Sequence, residues 1–142
     1  MEPLLIVELH ALEADYWYEV DHNLGRAAAA VYQPDGSFTI GDTVFRGHDE
    51  IAGFYRRREE RGPRTARHAI ANPRIGHAGN DAASFEYIML LYAGDGAPVL
   101  EAKAPVMIAD VTTEYVRAAG AWRVRARTLR PVFEGGTGAI KT

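Results

Sequence analysis

The sequence predicts an α+β fold, in which a strongly curved, mostly antiparallel sheet wraps around helices that come first in the chain. Hydrophobic residues recur at helical spacing in the first part of the chain, and from Thr65 onward they follow the alternating period of strands. Short turns between the predicted strands indicate antiparallel neighbours. The chain has 142 residues, which is a usual length for one domain with a single core.

The first helix is predicted to begin after Pro3 and to run for about five turns. Its buried stripe consists of Leu5, Leu9, Leu12, Tyr16, Val20 and Leu24, with Ile6 and Trp17 on one side. Gly25 interrupts this pattern. The alanine-rich stretch 26–32 then predicts a short second helix, and a turn is expected at 33–36.

A short strand is predicted at 37–40, and a third helix begins at Gly47. The buried face of this helix is expected to carry Ile51, Phe54 and Tyr55. Its end, 56–61, is a run of charges. We expect the arginines of this run to be solvated, at the end of the helix where the dipole favours positive charge.

Four long strands are predicted at 65–77, 83–93, 99–115 and 122–132. Residues 1–133 thus form the predicted domain. The segment 134–142 contains three glycines and is predicted to be a flexible tail.

Composition and charge exclude several classes of function. The net charge of −3 and the isoelectric point near 5.9 give no positive field for a phosphate backbone, so we expect no nucleic-acid partner. The longest apolar run, Tyr87 to Ala93, is too short to cross a membrane, and the acidic start does not resemble a secretory signal. We therefore expect a cytoplasmic protein without membrane contact. The absence of cysteine excludes thiol chemistry.

His68 is the first candidate catalytic residue. It shares one strand face with Ala66 and Ile70, which indicates that its ring points inward. A histidine acts well as a base when a second group fixes its tautomer. Asp21, at the margin of the helical stripe, is the candidate second group, and Tyr16 is a candidate hydrogen-bond donor in the same space.

Each of these residues also has a structural interpretation. His68 can be a hydrogen-bonded core residue, Asp21 a solvated helix residue and Tyr16 a packing residue. In the last strand, Arg130 is in phase with the inward side chains and is placed to hold an anionic substrate at a pocket mouth. Asp110 is a further polar candidate. The opposite face of that strand is expected to meet solvent or a subunit partner; it carries Arg123, Arg125 and Arg127.

No metal and no cofactor are expected. The remaining histidines have neither the close spacing nor the neighbouring ligands of a metal site; they are His10, His22, His48 and His77. The glycine-rich loops that hold nucleotide phosphates are also missing from the sequence.

Five groups of residues together resemble a known family. They are Tyr16 with Asp21, the segment 35–38, the segment 47–51 with Phe54 and Tyr55, the segment 64–68 with Asn72, and the segment 120–124. In this order the chain resembles a SnoaL-like protein of the nuclear-transport-factor-2-like superfamily, over about residues 10–130. The branch of scytalone dehydratase and bile-acid dehydratase is the most similar in pattern.

The resemblance implies a cone-shaped α+β barrel with a deep, mostly apolar pocket. It implies His68 as base, Asp21 as the group that orients it and Tyr16 as the donor to a carbonyl or leaving group. The residues expected to bind substrate are Trp17, Tyr55, Asn72, Asp110 and Arg130. The sequence departs from scytalone dehydratase, which has a second pocket histidine, and from ketosteroid isomerases, whose base position is occupied here by Ile40. We also find no Asp-Arg-Asp set like that of limonene-epoxide hydrolases.

The resulting hypothesis is a cofactor-independent lyase or isomerase, of polyketide or steroid metabolism, that acts on a small, hydrophobic, cyclic carbonyl compound. Two alternatives remain open at this point. The same pocket can bind an apolar ligand without chemistry, or the chain can be a structural subunit like the small subunit of ring-hydroxylating dioxygenases. Open sheet faces in this fold are commonly covered by another subunit, so we expect a homo-oligomer, a dimer or a trimer.

Overall fold

The computed structural model describes residues 3–135 and has its helices before its long strands, as predicted. Helix α1 spans Pro3–Asn23, a 3-10 helix spans Ala28–Val31, and helix α2 spans Gly47–Glu60. The strands are β1 Tyr32–Ile40, β2 Thr43–Arg46, β3 Arg64–Ala78, β4 Ala82–Asp95, β5 Met107–Ala118 and β6 Ala121–Glu134. None of the described helices is long and apolar enough to span a membrane.

The six strands form one sheet in the order β2-β1-β6-β5-β4-β3. All neighbours are antiparallel except β1 and β6, which run parallel. The sheet does not close on itself, so β2 and β3 are its edges. This confirms the predicted cone-shaped α+β fold with a mostly antiparallel sheet.

The core lies between the helices and one face of the sheet. Helix α1 packs on β3 and β4, and α2 packs on β1, β2 and the 3-10 helix. The predicted stripe of α1 is buried at Leu5, Leu9, Tyr16, Trp17 and Val20, whereas Leu12 and Leu24 are exposed. On α2 the predicted apolar face is buried as expected.

Some predicted boundaries were wrong. The expected turn at 33–36 lies inside β1, where the pairing with β6 is interrupted between Tyr32 and Ser37. The second helix is only the short 3-10 turn, and β2 was not predicted. The predicted strand at 99–115 begins only at Met107, since proline at 105 has no N–H for a sheet ladder. Of the predicted tail, Glu134 ends β6, and 136–142 lie outside the described residues.

The prediction for the faces of β6 was also wrong beyond Arg125. The register pairs Tyr115 with Val124 but Glu114 with Ala126, so Arg125 is an extra residue on its strand. Such a β-bulge inverts the alternation of side chains that follows it. Arg127 is therefore completely buried, and Arg130 is exposed.

The buried Arg127 pairs with Glu13 of α1, which is also completely buried. Nη2 of Arg127 lies 2.6 Å from Oε2 of Glu13, and Nε lies 3.2 Å from Oε1. Glu13 further accepts hydrogen bonds from the hydroxyls of Tyr87, Thr113 and Tyr115. Burial alone would raise the pKa of Glu13, but the adjacent guanidinium and these hydrogen bonds hold it below its ordinary value.

Removing one partner of this pair is expected to destabilise the fold strongly. Arg127→Met leaves the Glu13 carboxylate buried without a counter-charge, and we expect a loss of about 3–5 kcal/mol in the free energy of unfolding. Urea titration followed by circular dichroism measures this loss. Arg123→Met, at an exposed position of the same strand, is the matched control. A loss of less than about 1 kcal/mol for Arg127→Met would show that the pair does not support the fold.

Candidate active site

His68 and Asp21 form a close pair where α1 crosses the edge strand β3. Oδ1 of Asp21 lies 2.6 Å from Nδ1 of the His68 ring, and Oδ2 accepts the backbone N–H of His68 at 2.8 Å. The two side chains are only 4% and 5% exposed. Because the carboxylate engages both the ring and the main chain, it fixes the ring orientation, places the proton on Nδ1 and leaves Nε2 for the adjacent cavity.

Trp17 holds the other side of the histidine. Its ring is stacked on that of His68, with the centroids 4.1 Å apart and an angle of 8° between the planes. Trp17 and Asp21 are one helical turn apart on α1, so one face of the helix supplies both contacts. Nε1 of Trp17 donates to the hydroxyl of Tyr87 at 2.8 Å, which fixes the indole in turn.

The surroundings favour the neutral form of His68. Burial lowers the pKa of its imidazole, and the hydrogen bond and charge of Asp21 only partly oppose this effect. The positive charges of Arg58 and Arg64 lower this pKa further. At neutral pH the ring is therefore uncharged, and its free nitrogen can accept a proton.

A small cavity lies beside this histidine. Its walls are almost entirely apolar, and they include Trp17, Phe38, Phe54, Met89, Leu91 and Leu129. Its polar wall residues besides His68 are Tyr55 and Arg58. The volume is about 10 Å³, which is room for about one water. A ring-sized molecule therefore binds only if wall side chains move.

Two larger clefts lie away from the histidine. One, of about 410 Å³, is formed by β3, β4 and the segment 100–104. The other, of about 320 Å³, lies between α1 and β6 and includes Tyr16 and Arg127 in its walls. Neither includes His68, so we place the candidate site at the small cavity, where the chemistry-bearing residues meet.

Tyr16 stands behind the cavity rather than on its wall. Its buried hydroxyl lies 2.6 Å from that of Tyr55 and 2.9 Å from that of Tyr32. Burial raises the pKa of all three phenols, so they stay protonated. Tyr55, which does line the cavity, thus occupies the place that the sequence suggested for Tyr16.

The structure does not bring the other predicted site residues to this cavity. Asn72 is exposed and has a left-handed backbone (φ +53°) where the register of β3 with β4 shifts. Asp110 and Arg130 face each other across β5 and β6, but both are exposed. Nη1 of Arg130 donates to Thr112 instead.

Arg58 is the cavity residue that the sequence reasoning missed. It belongs to the charge run 56–61 and was expected to be solvated, yet its side chain reaches the cavity wall. A signal for this position was present, because Arg58 continues the helical spacing of Ile51, Phe54 and Tyr55. Among the described residues, His, Asp and Glu nowhere form a group of three or more that is able to hold a metal ion.

Comparison with known proteins identifies the family. The model of the SnoaL-like domain matches residues 4–128. The chain belongs to the SnoaL-like family. No curated protein matches this SnoaL-like chain by sequence.

Solved structures with the same fold come from several bacteria. A protein from Catenulispora acidiphila in complex with S-DNPA has a TM-score of 0.79 and 19% identity, over 92% of this chain and 95% of that one. Aln2 from a Streptomyces species has a TM-score of 0.79 and 21% identity, over 92% and 93%. ActVI-ORFA from Streptomyces coelicolor has a TM-score of 0.76 and 16% identity, over 90% and 97%. At such low identities these likenesses establish the fold alone.

The geometry predicts how His68 titrates. Its pKa is expected below the ordinary value of about 6.5, and Asp21→Asn is expected to lower it further, because the carboxylate stabilises the charged ring. Titration of the ring nitrogens by NMR measures both values. Asp15→Asn, at an exposed position of the same helix, is expected to change nothing. A pKa that stays constant or rises in Asp21→Asn contradicts the assigned pairing.

Proposed function

We propose that this SnoaL-like protein is a cofactor-independent enzyme of the dehydratase or isomerase type. In this proposal His68 removes a proton alpha to a carbonyl group of a small, hydrophobic, cyclic substrate. The observation that supports it is the buried His68–Asp21 pair, at 2.6 Å, whose histidine lines an apolar cavity. A positioned base of this kind is what proton abstraction from carbon requires.

Each step of the reaction has a residue suited to it. Nε2 of His68 takes the proton, and the electron pair moves to the carbonyl oxygen to give an enolate. Asp21 stabilises the imidazolium that forms. The imidazolium then returns its proton, either to a β-hydroxyl that leaves as water or to a different carbon. The first course is a dehydration and the second an isomerisation.

Tyr55 is the proposed donor to the enolate oxygen, because the buried hydroxyls form a chain with one direction. Nη1 of Arg127 donates to the hydroxyl of Tyr32 at 2.7 Å, and a guanidinium has no acceptor atom. The hydroxyl of Tyr32 is therefore free to donate to Tyr16, which donates to Tyr55. This order leaves the proton of Tyr55 for the cavity.

Substrate entry requires the cavity to widen beyond its volume of about 10 Å³. Helix α2 supplies Phe54, Tyr55 and Arg58 to the wall, and it packs on β1, β2 and the 3-10 helix rather than on the strand that carries His68. In the proposed cycle wall side chains such as Phe54 move when a substrate binds, while Tyr55 keeps its hydrogen bond to Tyr16 and its role as donor.

Ligand binding without chemistry is the second candidate function. The mostly apolar wall of the cavity supports it, because an apolar ligand can be buried there without any reacting group. Hydrogen exchange at carbon separates the two functions, since only a base exchanges the protons of a bound ketone. A structural subunit role would instead appear as co-purification with a larger subunit.

The enzyme hypothesis predicts deuterium uptake from D₂O into enolisable cyclic ketones, with 2-tetralone and cyclohexanone as probes. His68→Gln is expected to slow the protein-dependent exchange by about 10²- to 10⁴-fold, because it removes the base. Proton NMR follows the loss of the α-proton signals. His22→Gln, on the exposed end of α1, is the control and should exchange normally. Equal rates in wild type and His68→Gln would refute the role of this residue.

The direction of the tyrosine chain predicts a second loss. Tyr55→Phe removes the donor to the enolate, and the exchange rate is expected to fall by about 10²- to 10³-fold. Tyr18→Phe, at an exposed position, should keep the wild-type rate. Thermal unfolding of each variant shows whether the fold is retained. An unchanged exchange rate in a folded Tyr55→Phe variant would exclude the proposed donor.

A further inference from the structure

Two arginines border a narrow cleft next to the candidate site. Arg58, near the end of α2, and Arg64, the first residue of β3, lie on the two sides of the loop that joins these elements. Together with Asp21 they line a space of about 30 Å³. Arg58 and Tyr55 line both this space and the cavity beside His68, so the cleft is an extension of that cavity.

Both arginines have buried donors without acceptors. Nε of Arg58, and Nε and Nη2 of Arg64, are inaccessible to water and have no hydrogen-bond partner among residues 3–135. Buried polar groups in folded proteins are nearly always paired, and each exception calls for a reason. A ligand in the adjacent cleft can supply the missing acceptors if the arginine side chains turn toward it, because in this conformation the three nitrogens are inaccessible to water.

Only weaker contacts compensate the two charges: Asp95, which faces Arg64 across β3 and β4, and Asp21 raise the pKa of Arg64, and the guanidinium of Arg58 lies 4.9 Å from the ring centroid of Phe54. Neither arginine forms an ion pair within the described part of the chain. Asp21 uses both oxygens on His68, and Glu59 is bound to Arg26. Burial and the nearby charge of Arg64 together lower the pKa of Arg58 to about 10, and burial also lowers the pKa of Arg64, but both groups are still positive at neutral pH.

We propose that Arg58 and Arg64 bind a carboxylate group of the substrate. This inference rests on the proposed function and narrows its substrate class to apolar carboxylic acids that also carry an enolisable carbonyl. Guanidinium groups match the geometry of a carboxylate and bind it strongly where water is excluded. The apolar body of the substrate then extends from the cleft toward His68.

The dimensions and charges of the cleft favour a carboxylate over a phosphate. A volume of about 30 Å³ holds about two waters, which is closer to the three heavy atoms of a carboxylate than to the five of a phosphate group. The carboxylates of Asp21 and Glu59 also border the cleft and would repel a doubly charged anion more than a singly charged one.

Binding of matched probes tests this site without any chemistry. The probes are cyclohexanecarboxylate and the uncharged cyclohexanecarboxamide, titrated at neutral pH with detection by NMR. We expect the wild type to bind the acid at least about tenfold more tightly than the amide, and Arg58→Met to weaken acid binding by about 10- to 100-fold. Arg56→Met, an exposed arginine two residues earlier on α2, should bind like the wild type. Equal affinity for acid and amide, or tighter binding of inorganic phosphate, overturns the assignment.

A stability measurement separates a binding role from a structural one. If Arg58 serves to bind a ligand, Arg58→Met removes a buried charge that has no ion-pair partner in the free protein. The melting temperature of the variant should then equal or exceed that of the wild type. A lower melting temperature together with unchanged acid binding would show that Arg58 is structural and would refute the site.

His68→Gln distinguishes this inference from the proposed reaction. The variant is expected to keep the preference for the acid over the amide while it loses proton exchange. Acid-selective binding by a wild type that exchanges neither the ketones nor the keto acid 4-oxocyclohexanecarboxylate would support the anion site and refute the reaction. Exchange by a protein that binds acid and amide equally would support the reaction and refute the site.

Discussion

The buried ion pair of Glu13 and Arg127 is the constraint on which much of the structure depends. Two charges in an apolar interior are tolerated only if their remaining hydrogen-bonding atoms are satisfied, and here hydroxyls from β1, β4 and β5 do this. The pair thus ties α1 to four strands of the sheet at once. An apolar contact would tolerate sliding or rotation of the helix, whereas this network accepts only one position of α1.

The geometry of the candidate site depends on this position of α1. Trp17 and Asp21 follow Glu13 by one and two helical turns, so the network that holds Glu13 also places the stacked ring and the carboxylate against His68. On the other side, Arg127 sets the direction of the hydroxyls that end at Tyr55. A single buried pair therefore orders both groups that meet at the cavity, the proposed base and the proposed donor.

The predicted faces of side chains were right where the helix or strand periodicity is regular. They were wrong where a bulge interrupts the periodicity. His68 and Asp21 were predicted because strand alternation and helical spacing remain regular around them. The faces of Arg127 and Arg130 were exchanged, since the bulge at Arg125 shifts the alternation by one residue and leaves no clear mark in the sequence. Arg58 belongs to a run of charged residues, so its composition predicted a solvated side chain. Only its helical spacing from Ile51, Phe54 and Tyr55 indicated that it lies at the cavity. The cavity volume depends on how side chains pack, which periodicity does not report.

The hydrogen bond between Asp21 and the main-chain N–H of His68 also affects the edge of the sheet, because β3 is an edge strand. An edge strand presents unpaired N–H groups that can add a strand from another molecule, and proteins commonly block such edges. Here α1 lies along β3, and its carboxylate occupies the outward N–H at the centre of the candidate site. The residue proposed to orient the base thus also covers part of this edge, so a replacement of Asp21 would leave an N–H of the edge strand unpaired.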